Sequence, residues 1–586
     1  MTYDILLINT HRENWGSVPE DISIGQNLLT VFLKEKGYSA ALFRGFAHEA
    51  MEWIERKMAE DGALTVGFYC DYENSTLVTE ISRYIKEKWG IPVFVGGPQA
   101  VGLNQSFLEK SGCDAIIRGD GEFPLLELLD LYIKGEKSRA ELDGISYLDE
   151  SGEMVCRPDR KPIEDLDSLP WPDFRLEKGH ESWSILPVMT GRGCPYHCAF
   201  CYEGNNTRRV RFRSVQNVLD EITCHFGRHP NCKYIFFIDD TFTLDPKRVE
   251  QFCTGLKRLR QKKDFVWFCE GHVQTLYKWP EMLKQMADAG LVKLFLGIES
   301  GSDEVLSLYK KQTTAEMMEF VVRESVKAGI PQITGNIIVG GPLESPETLE
   351  AGANLVTRLM ELAPGRFESL GFFLMPYPNT AITKRPQDFG LRLLSERETQ
   401  GLEDIPLTET EAFTWMELFN ARHRLNKHLY NTMMKMYTGG KIPHDVIIGN
   451  YRLAYRYGVY SRWFINVFIK HPIYNRYYQL MARNAVCRSQ DIAKHELYSW
   501  HPQRVFEIWN TLSLDSGFPQ INDYVFSPLE YELLLLCSGK LRLGEILDRL
   551  YAGFGSRFES RDAFDGTVLK LLEGFEEKRW LAYARF

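Results

Sequence analysis

Residues 191–204 read GRGCPYHCAFCYEG and carry Cys194, Cys198 and Cys201 in a C-x3-C-x2-C array. The array follows an apolar run, SILPVMT, that predicts a strand. Thiolates are the preferred protein ligands of iron–sulfur clusters. Three of them leave one iron of a four-iron cluster open, where a substrate can bind and be reduced. Gly193 and Pro195 suit a loop that folds round such a cluster. Two other readings stay open on these residues alone. One is a zinc site, for which His197 is the only local fourth ligand. The other is three unrelated core cysteines. The remaining nine cysteines (Cys70, Cys113, Cys156, Cys224, Cys232, Cys253, Cys269, Cys487 and Cys537) form no second array.

Outward from this loop, residues 183–390 alternate strand and helix. The predicted strands are SILPVMT, YIFFIDD, FVWFCEG, LVKLFLGIES, ITGNIIVGG and LGFFLMPY. Six such units predict a partial TIM-type barrel with its chemistry at the strand carboxyl ends. Residues 1–140 alternate likewise, through ILLIN, AALF, TVGFYC, PVFVGG and AIIRG. Short apolar strands between amphipathic helices predict a Rossmann-like parallel sheet that binds its ligand at the strand ends. Residues 141–182 read as a connector, since the prolines of DLDSLPWPDF bar regular helix there. Residues 391–515 read as helical, and 516–586 as strand, helix, turn, helix, a long helix and a closing strand, the pattern of a small winged helix.

Other motifs follow the cysteines in chain order. FFIDDTF puts Asp239 and Asp240 at the second strand end. LGIESGS puts Glu299 and Ser300 at the fourth, and IIVGGPLES puts Gly340 at the fifth. With Phe200 just before the last cysteine, the set resembles the radical SAM superfamily. The resemblance implies a [4Fe–4S] cluster on Cys194, Cys198 and Cys201, with S-adenosylmethionine (SAM) chelating the open iron. It implies that Phe200 supports the adenine, that Glu299 meets the ribose, and that the Gly340 region packs near the nucleoside. Asp239, Asp240 and Ser300 complete the implied SAM bed.

The front 140 residues, with FVGGPQA, IIRGDGE and SLPWPDF, make the chain similar to the cobalamin-binding branch of that superfamily. In that branch a flavodoxin-like domain lays a corrinoid beside SAM. The implied cobalamin residues here are Asn9, Tyr69, Gly96, Gly97, Pro98, Gln99 and Gly119. The D-x-H-x-x-G string that carries a lower cobalt ligand in many corrinoid domains is absent. His11 stands in no such pattern and reads as a loop residue, so the cobalt is expected to lack a histidine below it. The whole chain is similar to the C-methyltransferases of this branch, including those that mature ribosomal peptides. The resemblance implies methyl transfer from SAM through methylcobalamin to an unactivated carbon. Cobalamin-dependent rearrangement or cyclisation without methyl transfer is a second reading, and a non-catalytic scaffold a third. An electron donor such as flavodoxin or ferredoxin is implied with the first two.

Composition sets outer bounds. The net charge of −10 argues against a nucleic-acid partner. No apolar run is long enough to span a membrane, the N-terminus shows no signal-peptide pattern, and solitary cysteines suggest a reducing, cytoplasmic setting. Residues 421–500 depart from the rest, with 13 Lys/Arg, 3 Asp/Glu and 14 Phe, Tyr and Trp. That window reads as a basic solvated face over an aromatic core, or as a docking face for an acidic peptide or anionic lipid head group. Together with the tail, it is the place where a peptide substrate is expected to bind; a small-molecule substrate remains open.

Overall fold

The computed structural model describes residues 2–11, 24–207, 209–394, 405–466, 471–514 and 517–585. It falls into two compact units, Met1–Thr432 and Met433–Phe586. The first unit holds two large, mainly parallel sheets.

The front sheet contains β1 (Tyr3–His11), β2 (Ala40–Phe46), β3 (Ala63–Tyr69), β4 (Val93–Gly96), β5 (Ala115–Ile117), β6 (Ile145–Leu148) and β7 (Met154–Cys156), in the order β2-β1-β3-β4-β5-β6-β7. The first five are mutually parallel, which is the flavodoxin-like order. Period-two alternation sends Ile5 and Leu7 to one face, against Leu28 and Phe32 of the helix Ile24–Glu35. It sends Leu6 and Ile8 to the other, against Val78, Ile81 and Ile85 of the helix Ser75–Trp89. Both faces are thus dry, as a parallel sheet requires. Each such side chain contributes roughly 1.5–3 kcal/mol by leaving water.

The sheet is larger than the sequence reading allowed. β6 and β7 fall in the stretch read as a connector, yet they pair antiparallel and extend the sheet from β5. The turn between them is tied by Asp149, which accepts from the Ser151 and Glu153 amides. The connector proper starts only after Cys156 and runs through short 3-10 turns such as Leu166–Ser168 and Phe174–Leu176.

The second sheet is the open barrel. After β8 (Ile185–Val188) the chain makes a separate antiparallel ladder of β9 (Gly191–Arg192) with β10 (Arg211–Phe212), and the barrel sheet continues with β11 (Tyr234–Phe237), β12 (Val266–Gly271), β13 (Leu291–Glu299), β14 (Gln332–Val339), β15 (Phe367–Glu368) and β16 (Gly371–Phe373). The order is β15-β14-β13-β12-β11-β8, with β16 also on β14, and every one of these pairs is parallel. The sixth strand is broken into β15 and β16, so six βα units form an arc rather than a closed cylinder. All carboxyl ends lie at one rim, the rim where such folds place chemistry.

The second unit contains the helices His444–Tyr457 and Pro472–Ala482, then Pro528–Leu536, Leu543–Phe554 and Arg561–Glu577. Ser527 and Glu530 form a reciprocal capping box, with Pro528 in the first turn, and this fixes where the tail's first helix begins. The last strand, Leu581–Ala584, pairs antiparallel with His501–Arg504. The tail's sheet therefore draws on residues ahead of the boundary expected at 516. Leu547, Phe564, Leu572 and Trp580 pack into one core. Among the described residues no helix is long and apolar enough to cross a membrane.

Candidate functional site

The cysteine loop leaves β9 and is shaped before any ligand enters. Gly193 has φ +89, and a Cβ there would stand 2.5 Å from the Arg209 carbonyl oxygen and 2.6 Å from that of Thr207. Gly204 is equally confined, 2.6 Å from the Tyr196 carbonyl oxygen. Asn205 Nδ2 donates to the carbonyls of Cys198 (3.0 Å) and Cys201 (2.7 Å). The Ala199 amide donates to Tyr309, and Ala199 accepts from Ile382, which pins the loop to the barrel. All three thiols are free of disulfides; Cys194 and Cys198 are buried and Cys201 half-buried. Burial pushes every one of them up, Cys201 to about 12. They become thiolates only against added positive charge, which a cluster's irons supply. Among the described residues no three His, Cys, Asp or Glu side chains close on the spacing of a single ion. Cluster ligation asks for something else, one thiolate on each of three irons.

One cation already sits beside the thiols. Lys311, buried at 8% exposure, places Nζ 2.8 Å from Glu299 Oε1. Burial works against the Lys311 ammonium, but the Glu299 carboxylate and the Cys198 sulfur outweigh it and raise its pKa. Glu299 owes its aim to the backbone. The β13–β14 register slips between Gly297 and Glu299, and Glu299 has φ +62. A bulge with a non-glycine residue in left-handed geometry is strained, and such strain gathers at functional positions. Phe200 lies edge-on to Tyr309, with ring centres 4.9 Å apart, and Lys311 Nζ stands 5.8 Å from the Phe200 ring centre. Gly341 packs so closely on the Tyr309 hydroxyl that it has no room for a Cβ. Gly340, at φ +84, donates its amide to Glu344 and accepts from the Thr408 hydroxyl. Ser300 caps the turn after the bulge by accepting from the Ser302 amide.

The two aspartates part company. Asp239 is buried and accepts from both the amide and the hydroxyl of Thr190, tying the end of β11 to the end of β8. Its carboxylate is already used, so it braces the rim rather than standing free for SAM. Asp240 faces open space. Burial pushes the carboxyls of Asp240 and Glu203 up, and the charge of Asp240 pushes Glu203 further. Glu270, at the end of β12, is pushed up to about 7 by burial and then by Asp240.

Two cavities lie at the front sheet's carboxyl ends. One, of about 440 Å³, is mostly apolar and bordered by Leu7, Gln26, Tyr69, Gly96, Gly97 and Gly119. The other, of about 710 Å³, is bordered by Gly97, Pro98 and Gly119 from the front sheet and by Gly193, Tyr202, Glu203, Asp239 and Asp240 from the barrel. A Cβ built on Gly119, at φ +76, meets nothing within 4 Å and would project into open space. Gly97 is glycine for another reason, since its Cβ would strike the Cys70 carbonyl at 2.5 Å. Asn9 Oδ1, Thr10 Oγ1 and Gln26 Oε1 are buried without a hydrogen-bond partner among the described residues. Asn9 and Gln99 border neither cavity. Glycine beds, orphaned polar atoms and a divided chamber fit a large, flat, amide-rimmed ligand such as a corrinoid.

Sequence reasoning did not single out Lys311, Glu203, Glu270 or His272. Glu203 and Glu270 stand in quoted motifs, CYEG and FCEG, where the acid at a strand end or cluster loop was the available signal. His272 stacks on Tyr196 with ring centres 3.6 Å apart, and burial lowers it to about 3. Nothing in the sequence marks that contact.

Residues 188–356 match the radical SAM superfamily, so the chain carries a radical SAM domain, whose class uses SAM and a [4Fe–4S] cluster. The chain is similar to an uncharacterized methyltransferase of Pyrococcus horikoshii, 30% identical over 52% of this chain and 64% of that one. It is also similar to the anaerobic magnesium-protoporphyrin IX monomethyl ester cyclase of Rubrivivax gelatinosus, 29% identical over 42% of this chain and 45% of that one. The chain thus spans less than two thirds of the length of these relatives. In fold it resembles the cobalamin-dependent S-adenosylmethionine radical enzyme OxsB, solved with aqua-cobalamin and SAM bound. That likeness has a TM-score of 0.61 at 16% identity and covers 99% of this chain and 84% of that one.

Proposed function

We propose that the protein is a cobalamin-dependent radical SAM C-methyltransferase. One observation carries the reading: a single 710 Å³ chamber is bordered by the glycine turns of the front sheet and by the cluster loop of the barrel. Two cofactors bedded there would face one another across one substrate space. Cys194, Cys198 and Cys201 would hold the cluster. Phe200, Glu299, Ser300, Gly340 and Asp240 would line the SAM bed, with Lys311 holding Glu299 in place. Tyr69, Gly96, Gly97, Pro98 and Gly119 would bed cobalamin, with Asn9 and Gln99 at the strand ends behind them. When bound, these cofactors supply the methyl group and the radical chemistry. The protein's own part is to orient them, exclude water and hold the carboxyls of Glu203, Asp240 and Glu270, all raised by burial, along the rim.

The same reading takes a peptide natural-product precursor as substrate, with the helical tail and strand His501–Arg504 as its docking module, an electron donor such as flavodoxin or ferredoxin, and a cytoplasmic setting. A second reading, cyclisation without methyl transfer, is supported by the similarity to the cyclase. Anaerobic turnover with trideuteromethyl-SAM separates the two. A product heavier by one labelled methyl group is expected. A product that has lost hydrogens and carries no label would replace methylation with cyclisation.

A further inference from the structure

The cluster loop and the cobalamin loop are joined by buried charge. Arg192 lies two residues before Cys194, and Asp120 and Glu122 lie just past Gly119. Arg192 reaches across to Asp120 Oδ1 at 3.0 Å and to Glu122 Oε1 at 2.6 Å. Arg211, paired with Arg192 in the β9–β10 ladder, binds the other oxygen of Asp120 and the Ile163 carbonyl. The Ile163 amide donates back to Asp120 at 2.9 Å. Side-chain exposure is 18% for Arg192, 15% for Asp120, 3% for Glu122 and 6% for Arg211.

The arrangement is more than incidental surface pairing. Two arginines stand side by side on a two-residue ladder, where their charges repel in a poorly hydrated place. The two carboxylates that relieve this come from the other sheet, about 70 residues earlier in the chain. Removing either carboxylate leaves a guanidinium short of a partner, which is the costly way to break a buried pair. Asp120 and Arg192 also border both cavities, so the network stands in the wall between them. Guanidinium forks fix direction as well as distance. Moving the front sheet relative to the cluster loop would break several such forks together.

We propose that Asp120, Glu122, Arg192 and Arg211 are positioning residues: a four-membered ionic brace that sets the reach from the cobalamin bed to the cluster loop. The inference rests on the proposed two-cofactor reading. The brace lies in the wall between the two cavities. It acts by holding two beds in register, and a displacement of about 1 Å is enough to cost on the order of 100-fold in a transfer step.

The test uses the full chain loaded with cluster and cobalamin. Glu122→Gln removes one carboxylate from the front sheet without touching the cluster loop. Bound iron, bound cobalamin and 5′-deoxyadenosine formation are expected to persist. Methylated product per 5′-deoxyadenosine should fall on the order of 10- to 100-fold. Pulsed EPR between cob(II)alamin and the reduced cluster should show a broader distance distribution. The charge swap Glu122→Arg with Arg192→Glu should recover part of the lost coupling. Unchanged coupling and an unchanged distance distribution in Glu122→Gln would overturn the brace. So would joint loss of both cofactors with no recovery in the swap, which would mark a structural role only. If the native chain binds no cobalamin, the functional reading fails separately. The brace is then judged by hydrogen exchange in the unloaded chain, where Glu122→Gln must speed exchange at both 118–123 and 190–194 or be rejected.

Discussion

The front sheet and the barrel present the same geometry, parallel strands whose carboxyl ends open on a shared chamber, but they furnish those ends differently. The barrel's rim is charged: Cys194, Cys198 and Cys201 precede Asp240, Glu270, Glu299 and Lys311. The front sheet's rim is largely glycine and neutral amide, Gly96, Gly97 and Gly119 with Asn9 and Gln26 buried behind, and its acids Asp120 and Glu122 are taken up by Arg192. Charged ends suit a ligand set that changes oxidation state and includes a sulfonium. Bare backbone ends suit a broad ligand held by shape and by many weak contacts. The difference teaches that one half is specified by side-chain chemistry and the other by the space that missing side chains leave.

The hardest break of this contrast falls on the barrel. Cys201→Ala removes one of three ligands in a loop whose backbone is fixed by Gly193, Gly204 and Asn205, so no neighbour can move in to replace it. Iron should drop from about four per chain toward none, and 5′-deoxyadenosine formation should fall by on the order of a thousandfold or more. Cobalamin binding should survive, since the front sheet's bed contains no cysteine ligand. Iron analysis and cobalamin absorbance of the same anaerobic preparation check both halves. Retention of a full cluster would show that the ligand set is wrongly assigned.

How much of this was readable in the sequence follows the same division. The cysteine spacing, the order of the barrel strands and the glycine turns are local, and they lie in the structure where the sequence reading placed them. The β6–β7 hairpin was read as connector because its strands are four and three residues long, too short for a period to declare itself. Its turn, DESGE, was the only local signal. Asp239 was grouped with Asp240; both border the larger cavity, but the Asp239 carboxylate is taken up by the amide and hydroxyl of Thr190. Lys311 is invisible to local reading because it finds Glu299 through a bulge twelve residues upstream. The Arg192–Asp120 pairing crosses 72 residues and two sheets. Contacts of that range are set by the docking of sheets, which no single window contains.

A gentler test works on the front sheet. Gly119 sits at φ +76 with open space where a Cβ would go. Gly119→Val adds a branched side chain to that space and forces it into a conformation that β-branched residues resist. Cobalamin affinity should weaken by on the order of tenfold, equal to about 1.4 kcal/mol. Bound iron should stay unchanged, in contrast to Cys201→Ala. Equilibrium titration with hydroxocobalamin measures the shift. An unaltered affinity would place the corrinoid elsewhere and remove the contrast drawn between the two rims.

The last expected effect is on stability rather than on cofactor binding, and concerns a carboxyl that belongs to the barrel by position but resembles the front sheet in its neutrality. Glu344 is buried at 7% exposure beside Gly340. Burial pushes it from 4.5 up to about 7, although hydrogen bonds from Thr348 and the Gly340 amide pull the other way. Its folded value thus exceeds its unfolded one. The stability it confers is fully present below about pH 4.5 and is lost as pH rises through about 7, because ionisation then charges a buried site. Spread over that window, the loss is about 3 kcal/mol. Glu344→Gln keeps the shape of the protonated acid. Its carbonyl oxygen can accept from the Gly340 amide, now 3.2 Å from Oε2, while its amide donates to Thr348 Oγ1, now 2.6 Å from Oε1. The variant should therefore match the native protein near pH 5 and surpass it at pH 8. Thermal melts of both proteins across that range should diverge upward for the variant. Asp239 and Glu270, raised by burial in the same direction, stay in both proteins and cancel in the difference. Parallel curves would mean that Glu344 remains ionised throughout. In that case the pocket around Gly340 is a charged anchor like Glu299, and the barrel rim has no neutral carboxyl there at all.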